Sequence, residues 1–95
     1  MVIIKLNKYW SFVYMEEKTK QQKAFDKQFG NFVRLQRQKK GWSQPELASK
    51  VGNNFQNISR LERGMTTPTL FWCYKLAEAF DIELSVMLKK FGYKL

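Results

Sequence analysis

The chain is predicted to be all-α, five short helices in one domain preceded by an N-terminal extension. Three observations predict this. After residue 25, Gly41, Gly52, Gly64, Pro68 and Asp81 break the sequence into short segments of similar length. Each segment carries apolar residues at helical rather than alternating spacing. The Asn-Gly, Asp-Gly and Gly-Gly dipeptides that mark tight hairpins are absent. With 95 residues, 11.4 kDa and 44% apolar side chains, the chain can bury one modest core and has no room for a second.

Residues 1–25 form the extension and 26–95 the domain. Met1 to Met15 is apolar and aromatic, with Ile3, Ile4, Leu6, Tyr9, Trp10, Phe12, Val13 and Tyr14 interrupted by Lys5 and Lys8. It is too short and too interrupted to span a bilayer, and Glu16-Glu17-Lys18 is the wrong flank for a secretory signal. Leu6, Lys8, Trp10, Phe12 and Tyr14 share one face of a strand, while Ile3, Leu6, Trp10 and Val13 fit a helix stripe equally well. A start at Met15, with an upstream in-frame extension, is a third reading. Periodicity does not decide among them. Residues 16–27 are polar and helix-compatible.

Helix 1 is expected over Asp26–Lys40, with Phe29, Phe32, Val33 and Gln36 inward and Gly41 as the stop. Helix 2 opens on Ser43-Gln44-Pro45-Glu46. Ser43 and Glu46 have capping-box spacing, and Pro45 sits in the first turn, where a missing N–H costs nothing. Leu47, Ala48 and Val51 form its inward stripe, and Gly52 ends it. Asn53 or Asn54 caps helix 3, Phe55–Arg63, which buries Ile58 and Leu61. Thr69 caps helix 4, Leu70–Phe80, with Cys73, Leu76, Ala77 and Phe80 at i, i+3, i+4 and i+7. The last segment is open. Leu84, Met87, Leu88 and Phe91 fit a helix, whereas Ile82, Leu84, Val86 and Leu88 alternate as a strand would; the helix is favoured.

Charge and composition narrow the chemistry. Lys and Arg total 17 against 8 Asp and Glu, a net charge of +9, with no histidine and a single cysteine. No zinc cluster, Ser-His-Asp or Cys-His arrangement, or disulfide framework can be built from that inventory, and no metal or cofactor is expected. A binding protein with an anionic partner is favoured over an enzyme. The basic groups are spread along the chain, with no run of five like charges, so this is not a polybasic arm. Cys73 falls on the inward stripe of helix 4 and reads as a small core residue. Lys39 and Lys40 read equally as a solvated helix end or as phosphate contacts.

Residues 44–63 carry the functional signal. Leu47, Ala48, Val51, Gly52, Ile58 and Leu61 have the spacing of two helices crossing steeply over a short turn. Ala48 must be small where helix 3 passes over it, and Gly52 supplies the positive φ of the sharp exit from helix 2. This is a helix-turn-helix pattern.

The fuller run Gly41-Trp42-Ser43-Gln44-Pro45-Glu46-Leu47-Ala48, then Val51-Gly52, then Ile58-Ser59-Arg60-Leu61-Glu62-Arg63-Gly64 and Pro68, resembles the phage repressor and Cro family of XRE type. The stretch from Phe29-Gly30 to Arg37 is similar to that family's first helix, and Leu76-Ala77 to Leu88 to its fourth and fifth. The resemblance covers about residues 29–88. It implies a five-helix, lambda-repressor-like DNA-binding domain in which helix 3 enters the major groove and helix 2 lies across the backbone. Carried over by position, Ser43 and Gln44 meet a phosphate, helped by the N–H groups at the start of helix 2. Asn54, Phe55, Gln56, Ser59 and Arg60 line the exposed side of helix 3. Beside the resemblance, Asn57 is read as a further DNA contact and Arg63 as a phosphate ligand, the alternative for Asn54, Gln56 and Asn57 being an ordinary solvated helix face. Gln56 suits an adenine, Arg60 a guanine or a phosphate, and Phe55 a thymine methyl. Arg37 and Glu62 match a pair that forms a buried salt bridge in the family.

The departures are specific. Asn53 stands where the family usually has Val or Ile, Gln36 where it often has Leu, and Phe55 replaces a polar residue on the reading face. The loop Met65-Thr66-Thr67 lacks basic residues, and Glu83 occupies a cap position usually held by Ser. The expected function is a sequence-specific double-stranded DNA-binding regulator, a cytoplasmic, nucleoid-associated repressor acting as a homodimer on a palindromic operator. Helix 5, Tyr93 to Leu95 and the N-terminal arm are the expected dimer contacts. Two alternatives accompany it: an antitoxin that also neutralises a toxin, and a protein-interaction module that has lost DNA binding.

Overall fold

The computed structural model describes residues 18–91. The alternative readings of residues 1–14 and the contacts assigned to Tyr93–Leu95 lie outside the described residues. Within them the chain is helical, with five helices and no strand. These are α1 (Lys20–Lys39), α2 (Gln44–Val51), α3 (Phe55–Glu62), α4 (Leu70–Phe80) and α5 (Leu84–Lys89).

The helix boundaries follow local chemistry. Thr19, Ser43, Asn54 and Thr69 each turn a side-chain oxygen onto the backbone N–H three residues on, which satisfies one of the orphan donors at the start of α1 to α4. Ser43 and Glu46 close a full capping box: the Ser43 hydroxyl accepts from Glu46 N–H, and Ser43 N–H donates to Glu46 Oε1 at 2.7 Å. Gly52 leaves α2 with φ 70° and ψ 38°, the left-handed geometry expected of it. Asp81 does the same for α4 at φ 59° and ψ 45°.

One helix start differs clearly from the spacing, and the open segment at the C-terminal end resolves as the favoured helix. Helix α1 begins at Lys20 rather than Asp26, because Thr19 provides the cap and Asp26 is an interior, fully buried residue. The alternation Ile82–Leu88 is not a strand. Leu84–Lys89 is helical with Met87 buried, although Glu83 makes no side-chain cap. Burying Met87 against the core, and not local propensity, holds this short helix.

The core draws on every helix: Phe29 and Val33 of α1, Leu47, Ala48 and Val51 of α2, Ile58 and Leu61 of α3, Cys73, Leu76, Ala77 and Phe80 of α4, and Met87 of α5. Beside it, Phe25, Phe29 and Phe32 gather round Phe91, with ring centroids 5.2 to 5.8 Å from it. Trp42, in the turn after α1, stacks on Phe80 at 6.2 Å and carries the Lys50 ammonium 4.6 Å from its ring centroid. Gly30 permits a close helix approach. A methyl there would collide with the carbonyl oxygen of Leu61 and come within 2.9 Å of that of Glu62. The C-terminal end of α3 is therefore pressed directly onto α1.

Candidate nucleic-acid interface

Helix α3 has a buried side and an open one. Ile58 and Leu61 are fully buried, and Glu62 nearly so. Asn54, Phe55, Gln56 and Arg60 are exposed, with Asn57 and Ser59 half-buried between the two sides. Arg63, just past the end of the helix, is also exposed, and its Nε donates to Ser59 O at 3.2 Å.

The orientation of α3 is set from beneath. Arg37 of α1 forms a bidentate pair with Glu62, Nε to Oε2 at 2.6 Å and Nη2 to Oε1 at 3.0 Å, and its Nη1 donates to Trp42 O at 2.8 Å. The side chains are 13% and 3% exposed, so the pair is desolvated. The Glu62 carboxylate hydrogen-bonded to the guanidinium raises the pKa of Arg37. Gln44, at the first turn of α2, donates Nε2 to Glu62 Oε1 at 3.0 Å. One carboxylate thus joins the ends of α1, α2 and α3, and Glu62 places no free negative charge on the open face.

This arrangement narrows what each sequence-named residue has to offer. Ser43 Oγ accepts from Glu46 N–H in the capping box, and its hydroxyl also lies against the Glu46 carboxylate. Pro45 has no N–H and Glu46 N–H is capped, so the Gln44 amide is the backbone donor left at the start of α2. Gln44 keeps one side-chain N–H and its carbonyl oxygen. Asn54 uses its carbonyl oxygen as the cap of α3. Gln56 is exposed and has no side-chain hydrogen bond among the described residues. Phe55 is 47% exposed at the leading turn.

Two polar groups that the spacing did not single out as functional also shape this surface. Asn53, in the turn before α3, accepts from Asn54 N–H at 2.8 Å and from Asn57 Nδ2 at 2.7 Å, and Asn57 Oδ1 accepts from Arg60 Nη1 at 3.0 Å. The i, i+4, i+7 spacing of these three residues was visible in the sequence. Asp26 holds the α3–α4 loop: its Oδ1 accepts from the Thr67 hydroxyl at 2.7 Å, and its Oδ2 meets Lys18 Nζ at 2.7 Å. Gln22 also donates to the Thr67 oxygen. No local pattern marks this cluster, since Asp26 and Thr67 lie far apart along the chain.

Among the described residues no group of His, Cys, Asp and Glu could hold a metal, and no helix is long and apolar enough to cross a membrane. Cys73 is buried, and burial pushes its thiol pKa up, away from the reactive thiolate.

Comparison with known proteins agrees with this geometry. A family model described as helix-turn-helix matches residues 33–87, more than half of the chain. An uncharacterized HTH-type transcriptional regulator of Sinorhizobium fredii is 42% identical over 52 residues, which is 55% of this chain and 66% of that protein, just under two thirds. The antitoxin HipB of Escherichia coli is 32% identical over 59 residues, 62% of this chain and 67% of that one. Among solved structures, the restriction-modification controller protein C.AhdI from Aeromonas hydrophila superposes with a TM-score of 0.63 at 36% identity, over 66% of this chain and 91% of that one. The biofilm regulator SinR, solved in complex with DNA, superposes at 0.58 with 30% identity, over 63% and 97%. By its matched residues and the helical fold of its described residues, the chain belongs to the XRE-type helix-turn-helix family of DNA-binding transcriptional regulators.

Proposed function

We propose that the protein is a sequence-specific, double-stranded DNA-binding repressor that acts in the cytoplasm as a homodimer on a palindromic operator. The observation that carries this reading is the contrast between the two sides of α3. Its inner side is clamped by a buried ion pair, and its outer side offers Gln56, Arg60 and Phe55 on a short rigid helix. Such a helix suits the major groove, where Gln56 pairs with adenine, Arg60 with guanine and Phe55 packs on a thymine methyl. Ser43, Gln44 and Arg63 take backbone phosphates, and Asn54, Asn57 and Ser59 line the approach. One such surface discriminates weakly, so two copies on half-sites about one helical turn apart supply the specificity. The net charge of +9 adds salt-dependent attraction to any duplex.

Selection from random duplex pools by the full chain, followed by sequencing, tests this. The expected outcome is a palindromic or pseudo-palindromic site of roughly 12–20 base pairs. Arg60→Ala and Gln56→Ala each relax preference at defined positions, by about 1–3 kcal/mol. Ser43→Ala weakens binding to all sequences alike. Absence of enrichment at moderate salt overturns the proposal.

The likeness to HipB, an antitoxin by name, favours a second reading in which the same chain also neutralises a toxin. Restored growth when this protein is co-expressed with a toxic product of a neighbouring gene supports that reading. Growth arrest unchanged by co-expression removes it.

A further inference from the structure

We propose that Asn53 is a positioning residue for base recognition: it fixes the polarity of the Asn57 amide and, through it, the aim of the Arg60 guanidinium. This rests on the reading of α3 as the helix that meets base edges. The reasoning starts from a group whose role is unambiguous. The backbone N–H of Asn54 can only donate, so the Asn53 atom 2.8 Å from it is the carbonyl oxygen Oδ1. The same oxygen is 2.7 Å from the Asn57 side-chain amide, which must therefore present Nδ2. With its nitrogen committed, Asn57 turns Oδ1 along the helix, and that oxygen accepts from Arg60 Nη1 at 3.0 Å. Each step follows from the one before, and no amide in the row is free to flip.

The row runs outward, from half-buried Asn53 and Asn57 to exposed Arg60. It occupies one donor of the Arg60 fork and leaves the others for a bidentate contact with a guanine edge. Asn57 and Arg60 also form one wall of a cleft of about 210 Å³, closed on the other side by Thr66 to Thr69 and Trp72. A guanidinium released from Asn57 can turn toward the hydroxyl and carbonyl groups of that loop. If residue 53 were apolar, Asn57 could also present its NH₂ to Arg60, donor against donor, and the arginine would lose its fixed direction. A held arginine meets the base with its rotamer already ordered, whereas a free one must be ordered on binding.

The test uses the full chain with three substitutions, Asn53→Val, Asn53→Asp and Arg60→Ala, in duplex-pool selection with thermal melts alongside. Asn53 is half-buried in the turn before α3 and outside any helix, so that variant is expected to fold. Asn53→Val should lose preference, roughly three- to tenfold, at the same base positions that Arg60→Ala affects. Asn53→Asp keeps an oxygen for both donors and should retain the preference. The slope of affinity against salt should be the same for Asn53→Val as for the unsubstituted chain, because no phosphate contact is removed. In the free protein, the Asn57 side-chain amide resonances should move in Asn53→Val and stay in place in Asn53→Asp. If the unsubstituted chain selects a site and Asn53→Val selects it with equal stringency, this inference falls and the DNA-binding reading stands. An equal loss in Asn53→Asp also overturns it, since packing would then be the cause. If the unsubstituted chain selects no sequence, the DNA-binding reading fails, and the selective role of Asn53 fails with it.

Discussion

Two buried carboxylates tie the rest of the domain to α1, and they do so with unequal partners. Glu62 receives both arms of the Arg37 guanidinium and the Gln44 amide, and both side chains of the ion pair are withdrawn from water, at 13% and 3% exposure. Asp26 receives one hydroxyl and one ammonium, and its cation, Lys18, is a third exposed. Each anchors a segment at the edge of the open face: Glu62 the end of α3, Asp26 the loop that follows it. Depth of the carboxylate is therefore not the useful measure, since Asp26 is the more buried of the two. What separates them is the fate of the partner when the carboxylate is gone.

The largest expected effect follows from that difference. Glu62→Ala strands a guanidinium that is nearly out of water, with only the Trp42 carbonyl to meet it. The expected loss is about 3–5 kcal/mol, a large share of the stability of so small a domain. Thermal melts should fall by at least ~10 °C, at ~4–8 °C for each kcal/mol in a chain of this size. Replacing both partners with apolar residues, Arg37→Met with Glu62→Met, should recover much of the loss, because no buried charge is left unpaired. If Glu62→Ala melts within a few degrees of the parent chain, the guanidinium is finding water, and the contrast with Asp26 disappears.

Asp26→Ala comes second. Lys18 returns to solvent with little penalty, and the Thr67 hydroxyl, itself on an exposed residue, can be hydrated. The expected cost is about 1–2 kcal/mol, that of losing hydrogen bonds whose partners are then re-solvated. Hydrogen exchange should show faster opening of the loop before α4 while the α2–α3 unit keeps its protection. Equal losses for Asp26→Ala and Glu62→Ala would show that partner exposure does not set the cost.

The same contrast explains what the sequence made visible. The caps at Ser43, Asn54 and Thr69, the Gly52 turn and the inward stripes of α2 to α4 are local, and each was written within a few residues. Arg37 and Glu62 are distant in the chain, yet their pairing was implied by the family resemblance. Asp26 had neither aid. Nothing local marks Asp26 as an interior residue, and only folding brings Thr67 to it, whereas helix 1 was expected to begin there. Gln44 was assigned to a phosphate from its position alone, and no local pattern shows that its Nε2 also reaches Glu62. Asn53 was noticed as a departure, but its role depends on which way three neighbouring polar side chains point. For α5, two periodicities competed over a few residues, and Met87 entering the core decides between them.

Glu46 adds a third carboxylate, and with it the smallest effect. It is fully exposed, so whatever it contributes comes from hydrogen bonding without burial. The Ser43 backbone N–H, then the Ser43 hydroxyl, hold its pKa below the usual 4.5, with a minor contribution from the charge of Lys50. A carboxylate with a lowered folded pKa binds protons more readily in the unfolded chain. Its stabilising contribution is therefore complete above the ordinary carboxylate value and is lost as pH falls through the folded one. Glu46→Gln keeps an oxygen for Ser43 N–H and cannot titrate. Melting curves of the parent and of Glu46→Gln should run parallel near neutrality and converge or cross as pH falls from about 5 to about 3. Curves that stay parallel through that window would mean the capping box gains nothing from the charge. The ranking of the three carboxylates would then rest on hydrogen-bond geometry and on how readily each partner returns to water.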